Sequence, residues 1–72
     1  MTKPQRDQPI TIEDEINELA REIGVRERVF PTMIAAKKMQ QSTADRRIAT
    51  MTQTLRRLRK LKEADDAAST LV

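Results

Sequence analysis

Arg26, Arg28, Arg46, Arg47, Arg56, Arg57 and Lys60 are the residues of this 72-residue chain whose types and spacing could do chemistry. That chemistry is anion recognition. Guanidinium and ammonium groups hold phosphates and carboxylates through charge-assisted hydrogen bonds. The run Leu55-Arg56-Arg57-Leu58-Arg59-Lys60-Leu61-Lys62, with Arg46 and Arg47 a few turns earlier, could track nucleic-acid phosphates, hold a small anionic ligand, or meet an acidic protein face. A plainer reading stands beside these. Lysine and arginine commonly solvate the outer face of a helix, and an acidic helix can neutralise a basic one beside it. Residues 1–23 hold three basic residues against six acidic ones, whereas residues 24–62 hold eleven basic residues against Glu27 and Asp45. If the chain reverses at residues 39–42, positions 26–28 face residues 53–56 while Arg46 and Arg47 face residues 34–36. Arg26, Arg28, Arg46 and Arg47 then converge only across a subunit interface. The intrachain alternative for Arg26 is Glu22, one helical turn earlier.

Much other chemistry is excluded. The chain has no cysteine and no histidine, which removes disulfides, thiol nucleophiles, zinc-finger sites and histidine-assisted catalysis. The carboxylates Glu13, Asp14, Glu15, Glu18 and Glu22 lack the glycine-bearing loop of a calcium site and read as an acidic first turn. Gly24 stands alone and is no phosphate loop; it reads as a close-packing or flexible point. Met33, Met39 and Met51 read as core filler rather than as a soft binding surface. Phe30 is the only aromatic residue, which argues against a base-stacking platform, and no helix-turn-helix signature is present. The expectation is a protein that is not an enzyme, with no cofactor and no metal.

The elements that carry these residues follow from composition and periodicity. Charged residues make up 35% of the chain and aromatics 1%, a profile of long helices rather than sheets. Residues 1–10 read as a flexible tail, residues 11–62 as a helical hairpin and residues 63–72 as a fraying tail. Thr11 reads as the N-cap of helix one. Ile12, Ile16, Leu19, Ile23, Phe30 and Ile34 then form one apolar stripe at helical spacing, with Arg26 at the missing step. A second stripe, Val25, Val29, Met33 and Ala36, widens the apolar surface. Pro31 either kinks one continuous helix or separates two; the unbroken apolar phase favours the kink. Met39-Gln40-Gln41 reads as the connection, and Ser42 with Asp45 as a capping box for helix two, with Thr43 the competing cap. Ala44, Ile48, Met51, Leu55 and Leu58 form the second helix's stripe, bordered by Leu61. The stripe fades after Lys62, where acidic residues meet the negative helix end.

The fold expected is therefore all-α: an antiparallel helical hairpin with a kinked helix one. Two helices cannot hide these stripes alone, so the hairpin should assemble as a dimeric four-helix bundle or a higher oligomer. Val25, Val29, Phe30, Met33 and Ala36 are the candidate oligomer or partner interface. Arg26, Arg28, Arg46, Arg47, Arg56, Arg57 and Lys60 are the candidate anion or nucleic-acid surface. No apolar run approaches the length of a membrane span and no signal-peptide core is visible, so a cytoplasmic protein without a membrane partner is expected.

The stretch Arg26-Glu27-Arg28-Val29-Phe30-Pro31, then Ile34-Ala35-Ala36, then Ala44-Asp45-Arg46-Arg47-Ile48-Ala49-Thr50-Met51 resembles a group of small helical proteins encoded by bacteriophages and prophages. The resemblance covers about residues 12–62. Relatives often carry a tryptophan where Met33 stands here, and a glycine in the turn where Lys37 and Lys38 precede Met39. The resemblance implies a phage accessory protein in a bacterial cytoplasm that acts by stoichiometric binding. A protein partner, such as a host defence or regulatory factor, is the leading expectation. Nucleic-acid binding through the basic face of helix two is the alternative, and sequestration of a small nucleotide-like anion at a subunit interface is the next.

Overall fold

A computed structural model describes residues 8–70, and among them two helices and no strand occur. Helix α1 spans Ile12–Ala35 and helix α2 spans Gln41–Thr70. They pack antiparallel as a hairpin. The first seven residues of the expected tail lie outside the described residues; Gln8, Pro9 and Ile10 are exposed and outside the helices.

Thr11 caps α1 as its chemistry suggests. Its backbone is extended (φ −95°, ψ 164°) and its hydroxyl accepts from the Asp14 N–H at 3.1 Å. Asp14 Oδ2 accepts in turn from the Thr11 N–H at 3.0 Å, which completes a capping box. Glu13, Asp14 and Glu15 fill the first turn, where the helix dipole favours carboxylates. Pro31 lies inside α1, which continues past it to Ala35. The proline is therefore no boundary between two helices.

The reversal has a defined cause. The Lys37 N–H donates to the Ile34 carbonyl at 3.0 Å and the Lys38 N–H to the Met33 carbonyl at 2.9 Å. Lys37 adopts φ 60°. That pair of bonds with a left-handed residue after the C-cap Ala36 is a Schellman motif, with lysine in the position glycine usually takes. It turns the chain within residues 36–40, earlier than the expected 39–42. The next helix consequently starts at Gln41, and the Ala44 N–H already bonds the Gln40 carbonyl at 3.1 Å. Ser42 lies inside the first turn, so the expected Ser42–Asp45 box does not form and Thr43 is no cap either. Asp45 instead accepts from the Gln41 side chain at 2.9 Å.

Helix α2 also runs beyond the expected limit at Lys62, to Thr70. Ala64, Ala67 and Ala68 are good helix formers, and Lys62 pairs with Asp66 at 2.8 Å across one turn. This offsets the unfavourable acids near the helix end. Residues 71–72 of the expected tail lie outside the described residues.

The core sits between the helices. Ile16, Ile23 and Leu55 are its buried centre, with Ile12, Leu19, Ala20, Met51 and Leu58 packed around them. Phe30 and Ala44 are buried nearer the turn. The hairpin is only 13 Å across its thinnest dimension, one helix thick. Two helices side by side leave both broad faces of that layer uncovered.

Candidate interaction surface

The stripes of the two helices are wider than their contact. Ile16, Ile23 and Phe30 recur every seven residues and point at α2, so they are buried. Residues one step round the helix are only half-covered. Leu19 on α1 and Met51 and Leu58 on α2 remain partly exposed and line one open groove of about 860 Å³. Ile10, 76% exposed, joins it from the segment before α1. Leu61, 57% exposed, continues the α2 flank beyond Leu58.

The groove's rim is acidic. Asp14, Glu15, Glu18 and Glu22 line it with Arg21 as the one base. Arg21 bonds Glu18 at 3.0 Å and Glu22 at 3.2 Å. Arg26 pairs with Glu22 and also donates to the Glu22 carbonyl at 3.4 Å. The hydrogen bond from Arg26 holds the Glu22 carboxyl below the usual glutamate range, with both arginine charges adding to it against the cost of burial. The hydrogen bond to Glu18, and the charges of Glu18 and Glu22, raise the Arg21 guanidinium. Arg26 is thus the expected arginine in an apolar stripe, half-buried and paired within one helix. It is not free for an external anion.

The other end of the hairpin is basic. Lys37, Lys38 and Arg47 line a shallow hollow of about 600 Å³ beside Ile34 and Met39, with no acid among its walls. Arg46 and Arg47 border a smaller one with Ser42 and Thr43. Arg28, Arg46, Arg47, Arg56, Arg57 and Lys60 are exposed, and no ion pair among the described residues uses them. They do not form one site. Arg46, Arg57 and Lys60 recur at eleven and three residues and share the ridge opposite the buried stripe. Arg47 lies on the groove side. Glu27 shares a hollow with Ile48 and Ala49, so positions 26–28 meet α2 nearer the turn than residues 53–56. The earlier chain reversal explains that offset.

The expected interface residues divide as well. Phe30 is 7% exposed and is consumed by packing within the chain, which removes it from any partner surface. Ala36 is exposed as the C-cap of α1 rather than as part of its stripe. Val29 is 44% exposed, and Val25 and Met33 are half-buried. These three recur every four residues along α1 and form the apolar strip the hairpin leaves uncovered. Gly24 is no close-packing point, because a Cβ there would meet nothing within 4 Å.

Leu19, Met51 and Leu58 pack against the core as their spacing implies and also line the open groove, which Ile10 joins from outside the stripe. The signal for that groove was the flank spacing Arg47, Met51, Thr54, Leu58, Leu61, at steps of four, three, four and three. Among the described residues no three carboxylates are placed to hold a metal ion, no helix is long and apolar enough to cross a membrane, and no buried side-chain polar atom lacks a partner. The surface sets exposed apolar area beside charge of both signs. Comparison of the chain with protein-family models, with curated proteins and with solved structures finds no match.

Proposed function

We propose that this chain is a non-enzymatic, phage-type accessory protein of the bacterial cytoplasm that binds a protein partner stoichiometrically, the partner being a host defence or regulatory factor. In this reading it works as a homo-oligomer, a dimeric four-helix bundle or larger, that presents the α1 strip outward. The observation that carries the proposal is Val29, 44% exposed between half-buried Val25 and Met33 on one face of α1. Clustered apolar exposure rimmed by charge marks interaction sites on small proteins. The resemblance of residues 12–62 to small phage proteins supports the biological setting. The test is affinity capture from bacterial lysate with the wild-type chain and with Val25→Glu. A protein recovered at about one copy per chain by the wild type, and lost with the variant, is the expected result. Identical recovery by both overturns it.

One observation favours a second reading. The exposed, unengaged ridge of Arg46, Arg57 and Lys60 suits nucleic-acid phosphates. Retention on duplex DNA that falls steeply between low and physiological salt, and that is abolished by Arg56→Glu with Arg57→Glu, would put this reading first.

A further inference from the structure

The groove between the helices asks for an occupant. Glu15, Leu19, Glu22, Arg26 and Met33 recur at steps of four, three, four and seven along α1, and so share one flank. Arg47, Met51, Thr54, Leu58 and Leu61 share the facing flank of α2. Leu19, Met51 and Leu58 line the groove between these flanks, which places both on the same broad face of the hairpin. Along that face the charge changes sign. At the open end Asp14, Glu15, Glu18 and Glu22 outnumber Arg21. At the turn end Lys37, Lys38 and Arg47 stand without an acid. Between them, Glu22 and Arg26 are already paired, so the middle can be covered without stranding a charge.

We infer that a second copy of this chain closes this face, laid antiparallel so that the acidic open end of each hairpin covers the basic turn end of the other. The inference deepens the oligomeric part of the function proposed above and rests on it; it shares Met33 with the partner strip, whereas Val25, the position that tests that strip, is not on this flank.

Charge complementarity selects the occupant and its direction. A parallel copy would set acids on acids and cations on cations, which is destabilising at close range. An antiparallel copy satisfies both ends by one two-fold axis, as isologous dimers require. Size agrees. A face about 36 Å long and about 20 Å wide offers roughly 700 Å² per copy, close to the roughly 800 Å² that each partner buries in a standard interface. The chain has no disulfide, the groove exposes Ile10 together with half-covered Met51 and Leu58, and Leu61 is exposed at the next step along the same α2 flank. Without a disulfide, oligomerisation is one of the remaining routes by which a fold this small gains stability.

The experiment uses the full chain. Since it has no cysteine, Gln40→Cys places one spin label at each turn. Light-scattering mass at low and high salt is read beside the label–label distance. The expected result is a dimer, weakened at high salt because its end contacts are screened, with labels beyond about 30 Å. A parallel dimer would bring them within about 20 Å of each other. Leu61→Glu, at an exposed position, should give a folded monomer by circular dichroism. Glu15→Lys with Glu18→Lys should weaken dimerisation about tenfold or more, Lys37→Glu with Lys38→Glu likewise, and mixing the two variants should restore it. A monomer at every concentration, a short label distance, or no rescue on mixing overturns the inference. Partner capture that persists with a monomer would sink the second copy alone; loss of capture with the dimer intact would sink the partner reading alone.

Discussion

The open half and the turn half of the hairpin solve different problems. In the open half Ile16, Ile23 and Leu55 pack with five partly buried neighbours, Thr11 and Asp14 cap the helix, and the ion pairs of Arg21, Arg26 and Lys62 are made. In the turn half only Phe30 and Ala44 are buried, a proline interrupts the backbone ladder, and a lysine takes the left-handed position. Its cations Lys37, Lys38, Arg46 and Arg47 enter no ion pair among the described residues. Packing and the helical ion pairs are thus concentrated at the open end, whose ridge cations Arg56, Arg57 and Lys60 nonetheless enter no ion pair among the described residues, and the turn end combines a left-handed lysine with cations that line a hollow without an acid. The turn half, with few buried side chains and a hollow of cations without an acid, has most to gain from another molecule.

The largest test of this contrast is Leu55→Ala. Removing the one large buried side chain of α2 should cost about 2–5 kcal/mol, against the roughly 3–5 kcal/mol a core of this size supplies. Far-ultraviolet circular dichroism should show most of the helix lost; retained helix would mean that the open half does not hold the fold.

The two helix starts offer the next comparison. Thr11→Ala removes a side-chain cap and should cost about 1 kcal/mol by denaturant midpoint, whereas Ser42→Ala, inside a first turn, should stay within about 0.5 kcal/mol. Equal losses would restore Ser42 as a cap. Gly24→Ala should add about 0.5–1 kcal/mol, because the new methyl meets open space and the unfolded chain loses freedom. A lower melting temperature would show that another chain approaches there.

The smallest effect is on pH. Arg26 holds the Glu22 carboxyl below its unfolded value. Its contribution is therefore fully present above the ordinary glutamate range, about pH 4.3, and is lost as pH falls through the lowered folded value. Glu22→Gln should flatten that part of the acid melting profile. An unchanged profile would remove the pair from the list of open-half supports.

Much of this was readable in advance where a local rule decides. Thr11 as the cap of α1 is such a case, though its reciprocal bond with Asp14 emerges only in the structure, as is the apolar stripe of Ile16, Ile23 and Phe30, whose phase continues through Pro31. The Glu22–Arg26 pair, an i to i+4 neighbour, is another. Reading failed where the answer depends on how the helices meet. The Schellman turn at Lys37 shifted the reversal toward α1, which moved the start of α2 to Gln41 and changed what faces Arg26 and Arg28. Phe30 looked like a shared interface residue because its stripe is wide, yet its direction puts it between the helices. Leu19, Met51 and Leu58 do pack against the core as their spacing implies, but a helical wheel cannot show that one neighbour covers only part of a stripe and leaves them partly exposed. No wheel or spacing names what fills the rest.

The one-helix thickness of the layer, 13 Å, has a calorimetric consequence. Heat-capacity change on unfolding follows the apolar area exposed, commonly about 12–15 cal/mol/K per residue. A single layer hides little such area, so an isolated hairpin should fall below that range, melt broadly and have a shallow stability curve. Covering one face with another chain would raise the heat-capacity step and sharpen the transition in proportion to the area covered. The width of a melting curve, followed against concentration, therefore reports how many faces of the hairpin are wet.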